Sequence, residues 1–139
     1  MITRMHPQLD QYVATTEFAF HLAVSSDGLL YTQGVGPVSQ TFEVIGGDDL
    51  VAQCEFTLKT LDSILEAGGS SRRHLLNWTI YLTDPQGTGE IGSKYLKILP
   101  QLCEFVGSHA PTATAAGVSC LFIPGQQIEI SAIAKVADS

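Results

Sequence analysis

Apolar residues recur along this chain with two spacings, and each spacing predicts one kind of element. Alternation of apolar or small residues with other residues has the period of two that is typical of a strand. It predicts strands at residues 17–24, 29–35, 76–82, 111–122 and 128–136, and a short one within the loop at 42–45. Apolar residues at steps of three and four predict two amphipathic helices. The two helical stripes are Val51, Cys54, Leu58, Leu61 and Leu65, and Ile91, Tyr95, Ile98, Leu102 and Phe105.

Turn-forming and capping residues fall between these segments. Ser25-Ser26-Asp27-Gly28 predicts the turn of a β-hairpin, because Asp-Gly favours the positive φ angles that such turns need. Asp48-Asp49 places negative charge at the start of the first helix, and Gly68-Gly69 ends it. Pro124-Gly125 predicts a short turn at residues 123–126, joining the last two strands. The order of elements is therefore β-β-(β)-α-β-α-β-β, with no internal repeat.

This order predicts a two-layer α+β fold formed by one domain, residues 1–139, with both helices on one face of the sheet. Residues 1–15 show no apolar periodicity and are expected to form a lead-in loop. The other face of the sheet also carries apolar residues and needs a cover. The apolar fraction of 45% and the mean hydropathy of +0.18 agree with burial against a second copy of the chain.

The last two predicted strands carry the main candidate for chemistry. Ala113, Ala115, Gly117 and Ser119 fall on one face of the first of them. Their small side chains leave room for a ligand or for a closely approaching partner chain. Glu129 lies between two isoleucines in the next strand and is expected to point into the same space. An acid on the outer face of an alternating strand is otherwise simply solvated, and that alternative stays open at this point.

Charge and cysteine usage exclude several classes of function. Fourteen acidic residues against seven basic ones give a net charge of −7, which repels phosphate backbones and argues against a nucleic-acid partner. The first residues do not resemble a signal peptide, and no apolar run approaches the roughly 18 residues of a membrane span. Cys54, Cys103 and Cys120 predict reduced thiols in the cytoplasm, with Cys54 acting as a small hydrophobe. Their spacing suits no metal, and we expect neither a metal nor a cofactor.

Three other motifs have plain structural interpretations. Gly34-Val35-Gly36-Pro37 follows a strand, but no third glycine or helix start comes after it and Pro37 lacks an amide donor, which argues against a phosphate loop. Arg72-Arg73 is expected to be a solvated pair in the turn before the strand at 76–82. His109 lies close enough to Pro111 to reach the mouth of a cleft, although a lone loop histidine is more often plain surface.

The C-terminal strands resemble the signature of the RidA/YjgF family, small trimeric proteins that hydrolyse reactive enamines and imines. The matching positions are Pro111, Thr114, Pro124-Gly125, Ile128-Glu129-Ile130, Ala132 and Ala134. Residues 53–69 also resemble the family's first helix, and residues 77–84 resemble its T-x-V-Y-L-T-D strand. The resemblance implies a chorismate-mutase-like fold with a mixed sheet, assembled as a homotrimer, with a small-molecule ligand in a cleft at each subunit interface.

The site residues of the family are only partly present in this chain. Glu129 matches the family glutamate that orients the attacking water, so the resemblance implies that Glu129 is the catalytic base. The arginine that clamps the substrate carboxylate is replaced by Ala113. The other substrate-binding positions correspond to Phe20, Gln33, Gly34, Gly92 and Ala115. Loss of the guanidinium should weaken binding of small 2-imino acids by about tenfold to more than a hundredfold.

We therefore expect a deaminase-like hydrolase that acts on an imine, enamine or related electrophile and not on a simple 2-imino acid. The homotrimer would bind a small molecule, and neither nucleic acid nor a membrane. The main alternative is a non-catalytic ligand-binding or interaction trimer, because several polar site residues are changed. The endoribonuclease or translation-inhibitor activity of some family members is a weaker third alternative, since the chain is acidic.

Overall fold

The computed structural model describes residues 1–5 and 19–137 of the chain. Six strands, two α-helices and a 3₁₀ turn at Arg72–His74 follow one another in these residues. The strands are β1 (Ile2–Met5), β2 (Ala23–Ser26), β3 (Leu29–Thr32), β4 (Leu75–Thr83), β5 (Thr112–Val118) and β6 (Ile128–Lys135), and the helices are α1 (Leu50–Ala67) and α2 (Ile91–Val106). Both predicted helices are present, and each of the main predicted strands has a counterpart, some with shifted ends.

The described strands form one mixed sheet in the order β1-β2-β3-β6-β4-β5. β4 and β5 run parallel, whereas the other neighbouring strands run antiparallel. The two helices pack against one face of this sheet and share a hydrophobic core with alternate residues of β4 and β6. The predicted two-layer α+β architecture is therefore confirmed.

The last two strands are joined in sequence but are not neighbours in the sheet. β4 lies between them, because α2 returns the chain over the sheet and lets β5 pair in parallel with the outer edge of β4. Residues 123–126 do form a turn, closed by a hydrogen bond from Gln126 N to Ile123 O of 3.0 Å. This turn is only the last part of a connection that crosses over β4, so the expectation of a short turn between the two strands is wrong.

Helix α1 starts and ends at the residues that the sequence predicts. Asp49 caps it, and its Oδ1 accepts hydrogen bonds from the backbone N–H groups of Val51 (3.0 Å) and Ala52 (3.4 Å). These groups have no partner within the first turn, so the cap satisfies them. Gly68 follows the last turn, and a Cβ atom there would lie 2.5 Å from the side chain of Leu30. The close packing of α1 on β3 therefore requires glycine at its end.

The buried face of α1 is rotated from the predicted stripe. Cys54, Leu58, Leu61 and Leu65 are buried as predicted, together with Leu50, Gln53, Thr57 and Ile64. Val51 is 38% exposed, contrary to the prediction, because at 100° per residue it lies roughly 100° from the centre of that wider face. Burial raises the pKa of Cys54 to about 12, so its thiol stays protonated and behaves as the predicted small hydrophobe.

The N-terminal part of the sheet departs from the prediction in two respects. Residues 2–5 form β1 against β2, so the predicted lead-in loop is wrong for them; residues 6–18 lie outside the described part of the chain. An edge strand is held by backbone pairing and can lack a buried face. The sequence of β1 therefore shows no alternation of apolar residues that could have predicted it. The predicted strand at 17–24 is observed as Ala23–Ser26. Asp27 and Gly28, with φ of 53° and 79°, suffice for the turn, which leaves Ser25 and Ser26 in the strand.

Local irregularities also shift two other predicted strands. The pairing of β4 with β6 skips one residue between Leu75 and Asn77, so Leu75 is buried and Leu76 is 46% exposed, the reverse of the predicted phase. Beyond that point Trp78, Ile80 and Leu82 face the core as predicted. The short strand expected at 42–45 is reduced to an isolated bridge between Val38 and Val44.

Candidate functional site

An irregular segment after β3 places two glycines beside β6. Tyr31 is opposite Ile133 and Val35 is opposite Ile130, so three residues on one side face two on the other. Thr32 bridges this bulge, because its Oγ1 accepts a hydrogen bond from Ala132 N (3.0 Å). Val35 is fully buried in the core. Gly34 and Gly36, on either side of it, therefore face away from the helices.

Two side chains from the β6 region lie directly over these glycines. A Cβ atom at Gly34 would lie 2.7 Å from Cδ and Oε2 of Glu129. A Cβ atom at Gly36 would lie 2.5 Å from Nε2 of Gln126. A larger residue at either position would therefore have to displace the carboxylate of Glu129 or the amide of Gln126. The Gly34-x-Gly36 motif thus makes space for a carboxylate and an amide against the backbone, a role that its sequence did not reveal.

Gln126 holds Glu129 in a partly buried position. Gln126 is 4% exposed, and its Nε2 donates to Ile128 O (3.0 Å) and to Glu129 Oε1 (3.5 Å). Burial raises the pKa of Glu129 above its ordinary value, and the hydrogen bond from Gln126 partly opposes that rise. Glu129 is therefore not a freely solvated surface acid. A carboxylate with a raised pKa is a stronger base than a fully solvated one.

A second buried glutamine fixes the turn that carries Gln126. Gln53 of α1 is fully buried and uses both ends of its amide. Its Nε2 donates to Gly47 O (2.7 Å) and Gly125 O (3.0 Å), and its Oε1 accepts from Gln127 N (2.8 Å). The turn before β6 is thereby tied to the start of α1. Sequence reasoning missed both glutamines; a polar residue on the otherwise apolar face of α1 was the available signal for Gln53.

An open cavity of about 650 Å³ lies over Glu129. The predicted site residues Phe20, Gln33, Gly34 and Glu129 all line it. Gln126, Phe42 and Phe122 line it as well, and none of these three was predicted. A larger groove of about 850 Å³ runs between α1 and α2 and contains none of the predicted site residues. The smaller cavity is therefore the better candidate for chemistry.

The predicted residues of β5 and α2 lie elsewhere in the chain. Ala113 and Ala115 are opposite Trp78 and Ile80, on the helix side of the exposed edge strand. Glu129 is opposite Tyr81, whose neighbour in β5 is Ala116, so Glu129 lies on the other face of the sheet. Within one chain the carboxylate therefore does not share the space of the small residues. Only a neighbouring chain could bring the two together, and their joint role stays a prediction.

The remaining candidates, Gly92, His109 and Arg72, do not line the cavity over Glu129. Gly92 is in the first turn of α2, where a Cβ atom would meet nothing within 4 Å. His109 is exposed in the loop before β5. Arg72 is not the plain solvated side chain that was expected: its guanidinium makes two hydrogen bonds to Asp62 (2.9 and 3.1 Å) and lies 4.4 Å from the centroid of the Phe105 ring. This arrangement ties Arg72 to both helices.

Among residues 1–5 and 19–137, no three side chains of His, Cys, Asp or Glu come together in a group that could hold a metal ion. In the same part of the chain, no helix is both long enough and apolar enough to cross a membrane.

Comparison with known proteins identifies related chains along nearly the whole length. The family model described as "Endoribonuclease L-PSP" matches residues 11–136. Protein mmf2, mitochondrial, from Schizosaccharomyces pombe is 31% identical over 115 residues, which are 83% of this chain and 86% of that protein. Protein HMF1 from Saccharomyces cerevisiae is 23% identical over 138 residues, 99% of this chain and 100% of the relative. A crystal structure from Yersinia pestis, described as a protein of the conserved Rid protein family, superposes with a TM-score of 0.80 at 19% identity, covering 98% of this chain and 100% of that one.

Proposed function

The chain belongs to the RidA/YjgF family, whose model carries the description endoribonuclease L-PSP, and from this membership we propose that it hydrolyses small imines or enamines with Glu129 as the general base. One observation supports this proposal above the others. Glu129 is partly buried over Gly34, has a raised pKa, and lines a cavity that can admit a small molecule.

The chemistry requires a positioned base and a water molecule. In the proposed reaction Glu129 removes a proton from a water whose oxygen attacks the carbon of the C=N bond. The tetrahedral intermediate then expels the nitrogen, which leaves as ammonia or an amine after taking up a proton, and a carbonyl product remains. Because burial raises the pKa of Glu129, this carboxylate is a stronger base than a solvated glutamate, and the same group can accept that proton and return it.

The proposed substrate is not a simple 2-imino acid, because such a substrate needs a cation for its carboxylate. Ala113 stands where the family has its arginine. Lys94, in the first turns of α2, is engaged elsewhere: its Nζ donates to Thr83 O (2.6 Å). The described residues that line the cavity over Glu129 include no Lys, Arg or His.

The proposal also includes a homotrimer located in the cytoplasm. In such an assembly Gly92, Ala113 and Ala115 of one chain would complete the site around Glu129 of the next. The relative mmf2 is named as mitochondrial, so cell fractionation is the direct test of location. Fractionation of a tagged chain should place it with cytoplasmic markers.

Replacing Glu129 with Gln tests the catalytic role. The substitution keeps the size of the side chain but removes its ability to accept a proton. Hydrolysis of preformed imines, followed by loss of the C=N absorbance and by release of ammonium or amine, should fall by about 100-fold or more. The free energy of unfolding and the oligomeric state of Glu129→Gln serve as controls. An unchanged rate in a folded variant would show that Glu129 is not the base.

A non-catalytic ligand-binding trimer is the second candidate, and the changed site residues favour it. Phe20, Gly92 and Ala113 carry no group that can donate or accept a proton or pair with a carboxylate. This candidate predicts that ligands bind in the cavity over Glu129 and leave unchanged. Saturable binding without turnover for a broad imine panel would favour it over hydrolysis. RNA cleavage is a third and weaker candidate, which the net charge of −7 opposes.

A further inference from the structure

The cavity over Glu129 combines one carboxylate with three aromatic rings. Its described lining contains Phe20, Phe42 and Phe122, while its polar side chains include Gln33, Gln126 and Glu129. The lining has no cationic side chain among the described residues, so Glu129 supplies its formal charge there. A ligand that carries a carboxylate or phosphate would meet this negative charge without a counter-charge. A positive ligand would be attracted by it.

The three rings come from separate segments of the chain and differ in their exposure. Phe122 is 80% exposed and Phe20 is 39% exposed, so large apolar surfaces stand open at the edge of the cavity. Phe42 has a φ of 63°, which is unusual for a bulky residue and costs backbone energy. Backbone strain of this kind is often kept where a side chain must occupy a particular place. The rings can pack on an apolar body and can also attract a cation to their faces.

We propose that this cavity selects a cationic ligand with an apolar or aromatic body, such as the protonated imine of an arylalkyl amine. The carboxylate of Glu129 would pair with the positive nitrogen, and the phenylalanine rings would pack on the rest of the molecule. This substrate class rests on the proposed hydrolytic function, since it concerns the same site. The acidic net charge of −7 would also draw cations toward the protein.

Binding of an unreactive cation tests the proposal without turnover. Benzyltrimethylammonium and phenylacetate present the same ring with opposite charges, and isothermal titration or NMR can compare their affinities. The ammonium should bind at least tenfold more tightly than the carboxylate, and salt should weaken it. Glu129→Gln should reduce its affinity about tenfold. Phe122→Ala should reduce it about three- to tenfold, whereas Leu96→Ala, which truncates an exposed residue of α2, should have no effect.

Several results would overturn the proposal. Equal or tighter binding of phenylacetate would show that the cavity does not select cations. If Glu129→Gln binds benzyltrimethylammonium with unchanged affinity, the cation does not bind beside Glu129. If Phe122→Ala alters the oligomeric state but not the ammonium affinity, Phe122 covers a partner chain and does not contact the ligand.

A matched pair of substrates separates this inference from the proposed function. The imine of phenylpyruvate carries a carboxylate on the C=N carbon, and the imine of phenylacetone carries a methyl group there; the two molecules are otherwise the same. Faster hydrolysis of the second, by at least tenfold, supports the inference. Hydrolysis of the first at an equal or greater rate keeps the hydrolase proposal and overturns the ligand class. Selective ammonium binding without hydrolysis of either imine keeps the ligand class and overturns the hydrolase proposal.

Discussion

The contact between Glu129 and Gly34 links two features that the sequence presented separately. The sequence showed an acid in an alternating strand and a glycine pair after another strand. It could not show that they touch, because the contact depends on the bulge at Thr32 and on the pairing of Val35 with Ile130. Neither the position of a bulge nor the strand that pairs with it can be read from apolar periodicity. The acid was therefore predictable as a candidate, and its surroundings were not.

Substitution of Gly34 by Ala should damage activity more than stability. The new methyl group would meet the end of the Glu129 side chain, which is flexible, so the carboxylate can move aside. We expect the free energy of unfolding to change by less than about 1 kcal/mol. A displaced base is costly, and kcat for imine hydrolysis should fall by about tenfold or more. Urea unfolding and steady-state kinetics measure the two effects.

A double variant provides the control for this prediction. With Glu129 replaced by Ala, no carboxylate remains to be displaced, so adding Gly34→Ala should change neither rate nor stability further. An additional loss of stability in the double variant would show that Gly34→Ala disturbs the backbone instead.

The raised pKa of Glu129 predicts a pH-dependent cost to stability. In the folded chain the pKa of Glu129 lies above its unfolded value, so the ionised form is disfavoured by folding. The cost is absent below the unfolded pKa of about 4.3 and develops as the pH rises through the raised folded value. Glu129→Gln should therefore gain stability relative to the natural chain as the pH rises above about 4.3. Urea unfolding at a series of pH values from below about 4.3 upward measures the difference, and a difference independent of pH would contradict the assignment.

At the scale of elements, the periodic segments were the predictable part of the fold. Both helices and the alternation in β6 follow directly from the spacing of apolar residues. The strand that pairs with β5 does not follow from this spacing, because it depends on how α2 packs over the sheet before β5 begins. The same limit explains why the small face of β5 was expected to share its space with Glu129. The alternation of side chains between the two faces of a strand can be predicted from the sequence of that strand. Which strand faces lie close together in space depends on the topology of the whole sheet.

Gln53 shows how one buried side chain can connect two elements. Its three hydrogen bonds join the start of α1 to the loop at Gly47 and to the turn before β6. Replacement by Leu keeps the volume but leaves those backbone groups without a partner. We expect a loss of about 2–4 kcal/mol in the free energy of unfolding, measured with urea.

Gln101 offers a matched control for Gln53. It is half-buried and makes a single hydrogen bond to the backbone, from Nε2 to Val51 O (2.9 Å). Gln101→Leu should therefore cost less than about 1 kcal/mol. Similar losses in the two variants would mean that the bonds of Gln53 have no special structural role. Because Gln53 fixes the turn that carries Gln126, the Leu variant should also lower the rate of hydrolysis.

At the scale of the whole molecule, the sheet face opposite the helices carries exposed apolar surface among the residues that the structure describes. Tyr31 and Ile133 are directly opposite each other on this face, and Tyr31 is 44% exposed. The proposed homotrimer would bury them, and light scattering should give about three times the chain mass of 14.9 kDa. Ile133→Lys would place a charge in that interface and should dissociate the trimer. Leu96→Lys, on the exposed surface of α2, should leave it intact.

Dissociation would also separate the contributions of the two chains to the site. The cavity over Glu129 is lined by residues of one chain, so a folded Ile133→Lys monomer should still bind the ammonium probe, within about threefold of the natural affinity. Hydrolysis should be lost, because the segments of a neighbour that carry Gly92, Ala113 and Ala115 would no longer complete the site around Glu129. A monomer that hydrolyses imines at the natural rate would show that Glu129 works without them. A natural chain with the mass of a single subunit would remove the need for any interface, and the substrate would then be held by the aromatic cavity alone.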